Sequence, residues 1–257
     1  PGETLGKLTH LQLLSLESNQ LTGTIPGESF ENLTQLQVLR IDANQLTGTV
    51  PWTQLLSIPS LTLIDISSNQ LRSSFDFPIS IPTNPNLIEF KAHRNLFEGN
   101  IDFLRLNSLF PNLQELDLSD NTKLIASSPL STIQWDKMTT LALRQCHLEG
   151  ELEQSFIHNL NSTQSLDLSN NNLHGTIPEW LGRFRNLDTL RLRGNQLNGS
   201  FPTSLAILPR LTIVDLSDNH FSGPLMSLIG PLVNIGLIDD VDRAYDFKLN
   251  LFTAIQN

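Results

Sequence analysis

Two arginines separated by one leucine, Arg191 and Arg193, are the pair of side chains in this 257-residue chain best suited to bind a small charged group. In an extended strand, side chains two residues apart point to the same side, so both guanidinium groups would lie on one surface. A guanidinium binds a carboxylate through two parallel hydrogen bonds. The spacing therefore predicts a carboxylate-binding site, although the same residues also fit a neutral variant of the surrounding pattern.

The segment that must position these arginines, Leu187 to Pro202, is one copy of a pattern that recurs along the chain. The pattern reads L-x-x-L-x-L-x-x-N-x-L-x-G-x-(apolar)-P, and nine copies follow one another in steps of 24 to 26 residues. The copies begin at Leu11, Leu36, Leu61, Leu87, Leu113, Met138, Thr163, Leu187 and Leu211. A fixed period of about 20 to 29 residues with this spacing predicts an α/β leucine-rich repeat solenoid, here over residues 1–225.

The two ends depart from this pattern. Residues 1–7 correspond to the second half of a repeat and carry no cap, so we expect the array to start within a repeat and to be cut from a longer one. Residues 226–257 are predicted to hold a degraded tenth repeat, at residues 232–240, followed by an irregular tail.

Each copy contains a short L-x-L strand and then an asparagine that is predicted to turn inward. The strand leucines point to the core and the residues between them point to solvent. The asparagine can bond free backbone groups of adjacent repeats, which a buried irregular backbone requires. These ladder residues are Asn19, Asn44, Asn69, Asn95, Asn121, Asn171, Asn195 and Asn219. Cys146 takes this place in the sixth copy, and we interpret it as a buried structural thiol rather than a nucleophile.

The solvent-facing strand positions carry a mosaic of charges. Asp65, Asp117, Asp167 and Asp215 each begin a D-(apolar)-S sequence, which we interpret as a solvated structural default of the repeat. Basic residues lie between these acidic positions. We predict that a ligand contacts Arg40, Lys91, His93, Arg94, Arg144, Arg191 and Arg193. Alternating charges favour an extended, mixed-charge peptide or protein over a polyanion.

Aromatic anchors are absent from these solvent-facing positions, which counts against tight peptide binding by this segment alone. Trp52, Trp135 and Trp180 fall in the connecting segments, where we predict that they pack on the convex side.

Composition narrows the class of partner. The chain has 16 Lys and Arg against 26 Asp and Glu, a net charge of −10, which argues against nucleic acid as a partner. No apolar run reaches the roughly 20 residues that a membrane-spanning helix needs. A single cysteine excludes a disulfide within the chain. Sequons at Asn32, Asn161 and Asn198 predict glycosylation and favour an extracellular location.

Catalytic and metal-binding motifs were also considered. The six histidines show neither metal-ligand spacing nor an H-E-x-x-H motif, and the chain has no nucleophile elbow and no phosphate-binding glycine loop. We therefore predict that the protein is not an enzyme and takes no metal or cofactor.

The copies LTGTIP, LDLSNNNLHGTIPEWLG and VDLSDNHFSGPL resemble plant-type leucine-rich repeat ectodomains of receptor-like proteins and receptor kinases. The resemblance implies a right-handed superhelix with a concave parallel sheet, a second short sheet, placement outside the cell or at its surface, and a peptide or protein ligand on the concave face. A co-receptor is a further partner that the family allows. Arg191 and Arg193 are similar to the pair by which some plant peptide-hormone receptors hold a ligand's C-terminal carboxylate.

These residues carry no paired cysteines of the family's caps, no membrane span and no kinase motif. Membrane attachment and signalling output therefore cannot be predicted from them. Two alternatives remain open. One is an enzyme inhibitor resembling polygalacturonase-inhibiting proteins. The other is an ice-binding surface built from Thr24, Thr49 and Thr176, whose row Asn100 and Glu151 would interrupt.

Overall fold

A computed structural model describes residues 5–75, 77, 80–126, 135–152, 160 and 162–223. The chain divides into two compact units, residues 1–128 and residues 129–257. Both units consist of the predicted repeats, with parallel strands stacked side by side, so the leucine-rich repeat solenoid fold is confirmed. The predicted tenth repeat and the tail lie outside the described residues.

The first unit contains five parallel strands in chain order, one from each repeat. Numbered along the chain, they are β1 (Leu13–Ser15), β3 (Val38–Arg40), β5 (Leu63–Asp65), β7 (Glu89–Lys91) and β9 (Glu115–Asp117). Because side chains alternate along a strand, the middle residue of each points inward. Leu39, Ile64 and Phe90 are at most 1% exposed, whereas the exposed Arg40 lies on the outer side.

A second set of short strands follows the ladder asparagines of the first unit. It comprises a three-stranded sheet of β2 (Thr22–Thr24), β4 (Gln45–Gly48) and β6 (Gln70–Leu71), and a pair of β8 (Glu98–Asn100) and β10 (Lys123–Ile125). The third repeat lacks the usual glycine turn, and its strand β6 has only two residues. Ser74 alone continues the pairing toward Glu98 through an isolated bridge.

The second unit repeats this arrangement. Its outward sheet contains β11 (Thr140–Ala142), β13 (Ser165–Asp167), β15 (Thr189–Arg191) and β17 (Ile213–Asp215). Its second sheet contains β12 (Glu149–Glu151), β14 (Asn172–Thr176), β16 (Gln196–Gly199) and β18 (His220–Phe221). The second short sheet that the resemblance implied is therefore present in each unit.

The segments that return to the next strand form short helices. Among the described residues, two are α-helical, α1 (Trp52–Leu56) and α2 (Phe103–Leu109), and three are 3₁₀ helices, Gly27–Ser29, Glu179–Arg183 and Thr203–Ile207. Asp102 caps the N-terminus of helix α2, because its side-chain oxygen accepts a hydrogen bond from the backbone N–H of Arg105 at 3.0 Å. None of the helices in the described part of the chain is long and apolar enough to cross a bilayer.

The asparagine ladder is confirmed in hydrogen-bond detail. Asn69 donates through Nδ2 to the carbonyl of Ile41 in the preceding repeat at 3.1 Å, and its Oδ1 accepts from the N–H of Leu46 at 2.9 Å. The same pattern recurs at Asn44, Asn95, Asn121, Asn171, Asn195 and Asn219. Asn19 differs, because among the described residues its amide donates only to carbonyls of its own repeat, those of Leu16 and Glu17.

The residue before each ladder position adopts a left-handed conformation. Eight such residues have φ between 51° and 59°: Ser18, Ala43, Ser68, Arg94, Asp120, Gln145, Asn170 and Asp218. In the eighth repeat this place is Gly194, with φ of 66°. The turn brings the asparagine inward, so the backbone strain belongs to the repeat itself rather than to one site.

Cys146 is buried, as predicted for a structural thiol. The neighbouring ladder residue Asn171 compensates for the missing amide, since its Oδ1 accepts from the N–H groups of both Cys146 and Leu148, at 3.1 and 3.0 Å. The Cys146 thiol donates to the carbonyl of Arg144 at 3.6 Å.

An aromatic cluster fills the core of the third and fourth repeats. Trp52 packs against Phe75, Phe77, Phe90 and Phe97, with ring centroids 5.4 to 6.3 Å apart. Phe75 and Phe77 belong to the segment LRSSFDFP, which takes the place of the glycine turn in the third repeat. Both side chains are buried, at 2% and 8% exposed.

The other two tryptophans also lie outside the strands, in connecting segments. Trp135 is fully buried, and the half-buried Trp180 packs edge-on against Phe184.

Candidate ligand-binding face

The outward side of the strands, together with the residues that lead to the ladder position, is called the strand face below. Strand register places corresponding side chains of successive repeats next to one another. In the first unit the last strand residues form a row of Ser15, Arg40, Asp65, Lys91 and Asp117. In the second unit the same row is Ala142, Asp167, Arg191 and Asp215. All seven predicted ligand contacts lie on this face.

The D-(apolar)-S sequences are structural, as predicted, but they are not fully solvated. The carboxylate of Asp65 accepts hydrogen bonds from the N–H of Ser67 at 3.1 Å and from its hydroxyl at 2.6 Å. Asp117, Asp167 and Asp215 accept in turn from the backbone N–H groups of Ser119, Ser169 and Ser217. These four serines, expected in solvent, are at most 9% exposed. The carboxylate thus closes the turn that ends each strand.

Lys91 is held between two carboxylates of the strand face. Its Nζ lies 3.1 Å from Glu89 Oε2 and 2.8 Å from Glu115 Oε2. Burial lowers the pKa of Lys91, but the hydrogen bonds to Glu115 and Glu89 outweigh it, so the pKa is raised above its ordinary value. Lys91 is therefore charged and already neutralised within the protein.

His93 is paired with Asp117, with Nδ1 3.1 Å from Oδ2. The hydrogen bond to Asp117 raises the pKa of His93 and outweighs the opposite effect of burial. For Asp117 burial raises the pKa, but the hydrogen bonds from His93 and Ser119 bring it below its ordinary value.

Two further cations of the first unit have carboxylate partners, Arg40 with Glu17 at 3.9 Å and Arg94 with Asp120 at 3.6 Å.

The two arginines of the eighth repeat differ in their surroundings. Arg193 Nε and Nη2 each lie 2.8 Å from Asp218 Oδ2 in the next repeat. The Arg191 side chain stands in register between Asp167 and Asp215, yet it makes no ion pair with any described residue. Both arginines thus lie on the strand face, and of the two only Arg191 lacks an ion-pair partner among the described residues.

The remaining sequence predictions concern other surfaces. Asn32 and Asn198 are exposed, as a glycosylation site must be, and Asn161 lies outside the described residues. In the second sheet, Thr24 is the register partner of Thr47 rather than Thr49, so the threonines of the ice-binding alternative are staggered. Within the described residues, no group of three or more His, Cys, Asp and Glu side chains is arranged to hold a metal ion.

Comparison with known proteins agrees with the repeat geometry. The sequence profile described as "Leucine rich repeat" matches residues 9–71, 136–197 and 162–221, which together exceed half of the chain. The chain belongs to the leucine-rich repeat family. No curated protein sequence matches it.

Several solved structures similar to this leucine-rich repeat chain are of plant receptors, and a plant ice-binding protein and an internalin share the fold at 24% and 21% identity. A TDR receptor is 28% identical with a TM-score of 0.70, over 84% of this chain and 36% of that one. The plant peptide hormone receptor RGFR1 in complex with RGF2 is 29% identical with a TM-score of 0.69, over 87% and 38%. The Arabidopsis receptor kinase HAESA, in complex with the peptide hormone IDA and the co-receptor SERK1, is 27% identical with a TM-score of 0.74, over 84% and 35%. This leucine-rich repeat chain thus spans about a third of the length of those receptors.

Sequence reasoning placed the cations on the strand face but missed their carboxylate partners. The sequence did indicate which carboxylates were candidates, because each one that pairs with a cation occupies an equivalent or adjacent position in the same or a neighbouring repeat. Which carboxylate a long side chain reaches depends on its rotamer, and the spacing of residues does not specify it.

Proposed function

We propose that the chain is a ligand-recognition segment of a plant receptor ectodomain, which binds a peptide or protein outside the cell through its strand face and has no catalytic step. The observation that carries the proposal is Arg191, a half-buried guanidinium on this face with no ion-pair partner among the described residues. A cation held in this way favours a ligand that brings a carboxylate.

Similarity to receptors that bind peptide hormones supports the same proposal. Two of the three similar receptor structures contain a peptide hormone, and one of them also contains a co-receptor. By analogy, a peptide ligand and a co-receptor are partners of the full-length protein, and its ectodomain lies at the cell surface. We place the ligand's acidic group at Arg191, with Arg193 joining it once Asp218 is displaced.

Capture from plant extracellular fluid tests the proposal. The purified chain is immobilised, captured peptides and proteins are identified by mass spectrometry, and the recovered ligand is resynthesised for titration calorimetry. We expect Arg191→Glu to weaken binding by about tenfold or more, because it reverses a charge at the contact. Arg210→Glu is the matched control, since Arg210 is exposed on a turn outside the strand face.

Thermal unfolding of both variants verifies that the repeats remain folded. Recovery of nothing above an empty matrix, or equal affinity of the Arg191 variant and the control, would contradict the proposal.

A further inference from the structure

An apolar row runs along the strand face of the first three repeats. Leu13, Val38 and Leu63 are register partners at the first position of their strands and point outward. Leu13 is 57% exposed, Val38 is half-buried and Leu63 is 8% exposed. In the next two repeats this position is occupied by Glu89 and Glu115, so the apolar row is confined to one part of the unit.

Carboxylates exceed cations on the strand face of the first unit. The carboxylates are Glu17, Asp42, Asp65, Glu89, Glu115, Asp117 and Asp120, and the permanent cations are Arg40, Lys91 and Arg94. Five of these carboxylates lie in the ion pairs described above, with His93 as the fourth basic partner. Asp42 and Asp65 have no cation within ion-pair distance among the described residues.

The orientation of Arg40 explains why Asp42 and Asp65 have no ion-pair partner among the described residues. Arg40 is the register partner of Asp65, but its guanidinium extends toward Glu17 in the first repeat. Asp65 uses one oxygen, Oδ1, to close its own turn with Ser67, which leaves Oδ2 without a described partner. Asp42 Oδ1 is buried and has no hydrogen-bond partner in the described part of the chain.

Two neighbouring, partly buried carboxylates with no cation at ion-pair distance among the described residues are electrostatically unfavourable. Burial, and then the nearby carboxylate of Asp65, raise the pKa of Asp42, and they outweigh the opposite effects of its own backbone N–H and of Arg40. A cation from a partner would relieve both effects. A metal ion is the weaker explanation, since no third ligating side chain among the described residues joins the two to form a metal-binding group.

We propose that the first three repeats bind an extended peptide segment with apolar and basic side chains, placing an apolar side chain on the Leu13 and Val38 row and a basic group at Asp42 and Asp65. The row and the carboxylates lie two to four residues apart along the strand direction, about 7 to 13 Å. An extended ligand spaces alternate side chains by about 7 Å, so neighbouring contacts of both kinds are within its reach.

This inference rests on the proposed function, because it assigns ligand chemistry on the same face, but it concerns the first unit, whereas Arg191 belongs to the second. The two therefore fail separately. A captured ligand that needs Arg191 but not Asp42 and Asp65 would overturn this inference and leave the proposed function in place.

The test uses the full chain and an amidated octapeptide of alternating leucine and arginine as the probe. Methyl NMR follows Leu13, Val38 and Leu63 during the titration, and a leucine–glutamine octapeptide is the control peptide. We expect saturable shifts of these methyl groups with the arginine peptide. Asp42→Asn with Asp65→Asn should raise its dissociation constant by about tenfold or more.

A control variant separates the site from general charge. Glu31→Gln with Glu98→Gln removes the same number of charges from exposed positions of the first unit outside the strand face, and it should bind the probe as the unmodified chain does. Asparagine at residue 65 retains the oxygen that accepts from Ser67, and thermal unfolding verifies that both variants are folded. The proposal would be overturned if both double variants lost the same affinity for the arginine peptide, or if the glutamine peptide bound as tightly as the arginine peptide. Displacement of the arginine peptide by calcium chloride at Asp42 and Asp65 would also overturn it.

Discussion

Arg193 and Asp218 are joined across two neighbouring repeats, with two nitrogens of the guanidinium each 2.8 Å from the same carboxylate oxygen. The pair lies at the surface, where the side chains of Arg193 and Asp218 are 55% and 43% exposed. It therefore competes with any ligand carboxylate for Arg193 while adding little to folding. In the carboxylate-binding site predicted from the sequence, Arg193 is thus already bound by a carboxylate of the protein itself, that of Asp218.

Asp218→Asn should release Arg193 without harming the fold. An exposed ion pair contributes roughly 0.2 to 1 kcal/mol, and asparagine tolerates the left-handed conformation of this residue. We expect an unfolding free energy within about 1 kcal/mol of the unmodified chain, measured by urea denaturation, and tighter binding of a carboxylate ligand that uses Arg191. Weaker binding would show that Asp218 itself contacts the ligand.

The pairing of His93 with Asp117 predicts a pH-dependent contribution to stability. The pKa of His93 is raised in the folded state, so its contribution is complete below the unfolded pKa of about 6.5 and is lost as pH rises through the folded value. The lowered pKa of Asp117 adds a contribution that is lost at acid pH, as pH falls through its folded value.

We therefore expect His93→Gln to destabilise the chain more at pH 5 than at pH 8, as measured by urea denaturation across this range. His174→Gln is the control, because His174 is 55% exposed and lies 3.8 Å from Glu151. A cost of His93→Gln that is the same at both pH values would contradict the proposed ion pair.

The loss of unfolding free energy on replacing a ladder asparagine should depend on whether its side chain bonds the preceding repeat. Asn95 is 5% exposed, and its amide bonds backbone groups of its own and of the preceding repeat. Asn95→Ala leaves those groups unpaired, at about 1 to 3 kcal/mol each. Asn19→Ala should cost much less, because Asn19 is exposed and bonds only its own repeat. Equal losses of unfolding free energy in denaturation experiments would refute the ladder's role between repeats.

Gly194 should resist replacement because of its conformation and its neighbour. Its φ is 66°, and a Cβ there would lie 2.3 Å from Asn170 Oδ1. Gly194→Ala should cost about 1 to 2 kcal/mol, measured by urea denaturation, since the left-handed region disfavours a side chain. Adding Asn170→Gly should remove the steric part of this cost. A double variant with strictly additive losses would show that Asn170 moves aside freely.

Repetition explains how much of the structure could be predicted. The inward leucines, the ladder asparagines and the burial of Cys146 follow from position within the repeat, because every copy repeats the same backbone. The pairing of Lys91 with Glu89 and Glu115 could not be predicted, since it depends on where long side chains extend between repeats. The burial of Phe75 and Phe77 could not be predicted either, because their repeat lacks the glycine turn and the regular pattern gives no position for its residues.

The left-handed residue before each ladder asparagine has a consequence for how such a surface diversifies. This residue lies on the strand face, yet its backbone disfavours β-branched side chains and accepts Gly, Asn and Asp readily. In the nine repeats it is Ser, Ala, Arg, Asp, Gln, Asn or Gly, and never Val, Ile or Thr. The outward positions of the strands themselves are not restricted in this way and can take any side chain. We therefore expect substitutions that change ligand preference to occur mainly at the strand positions.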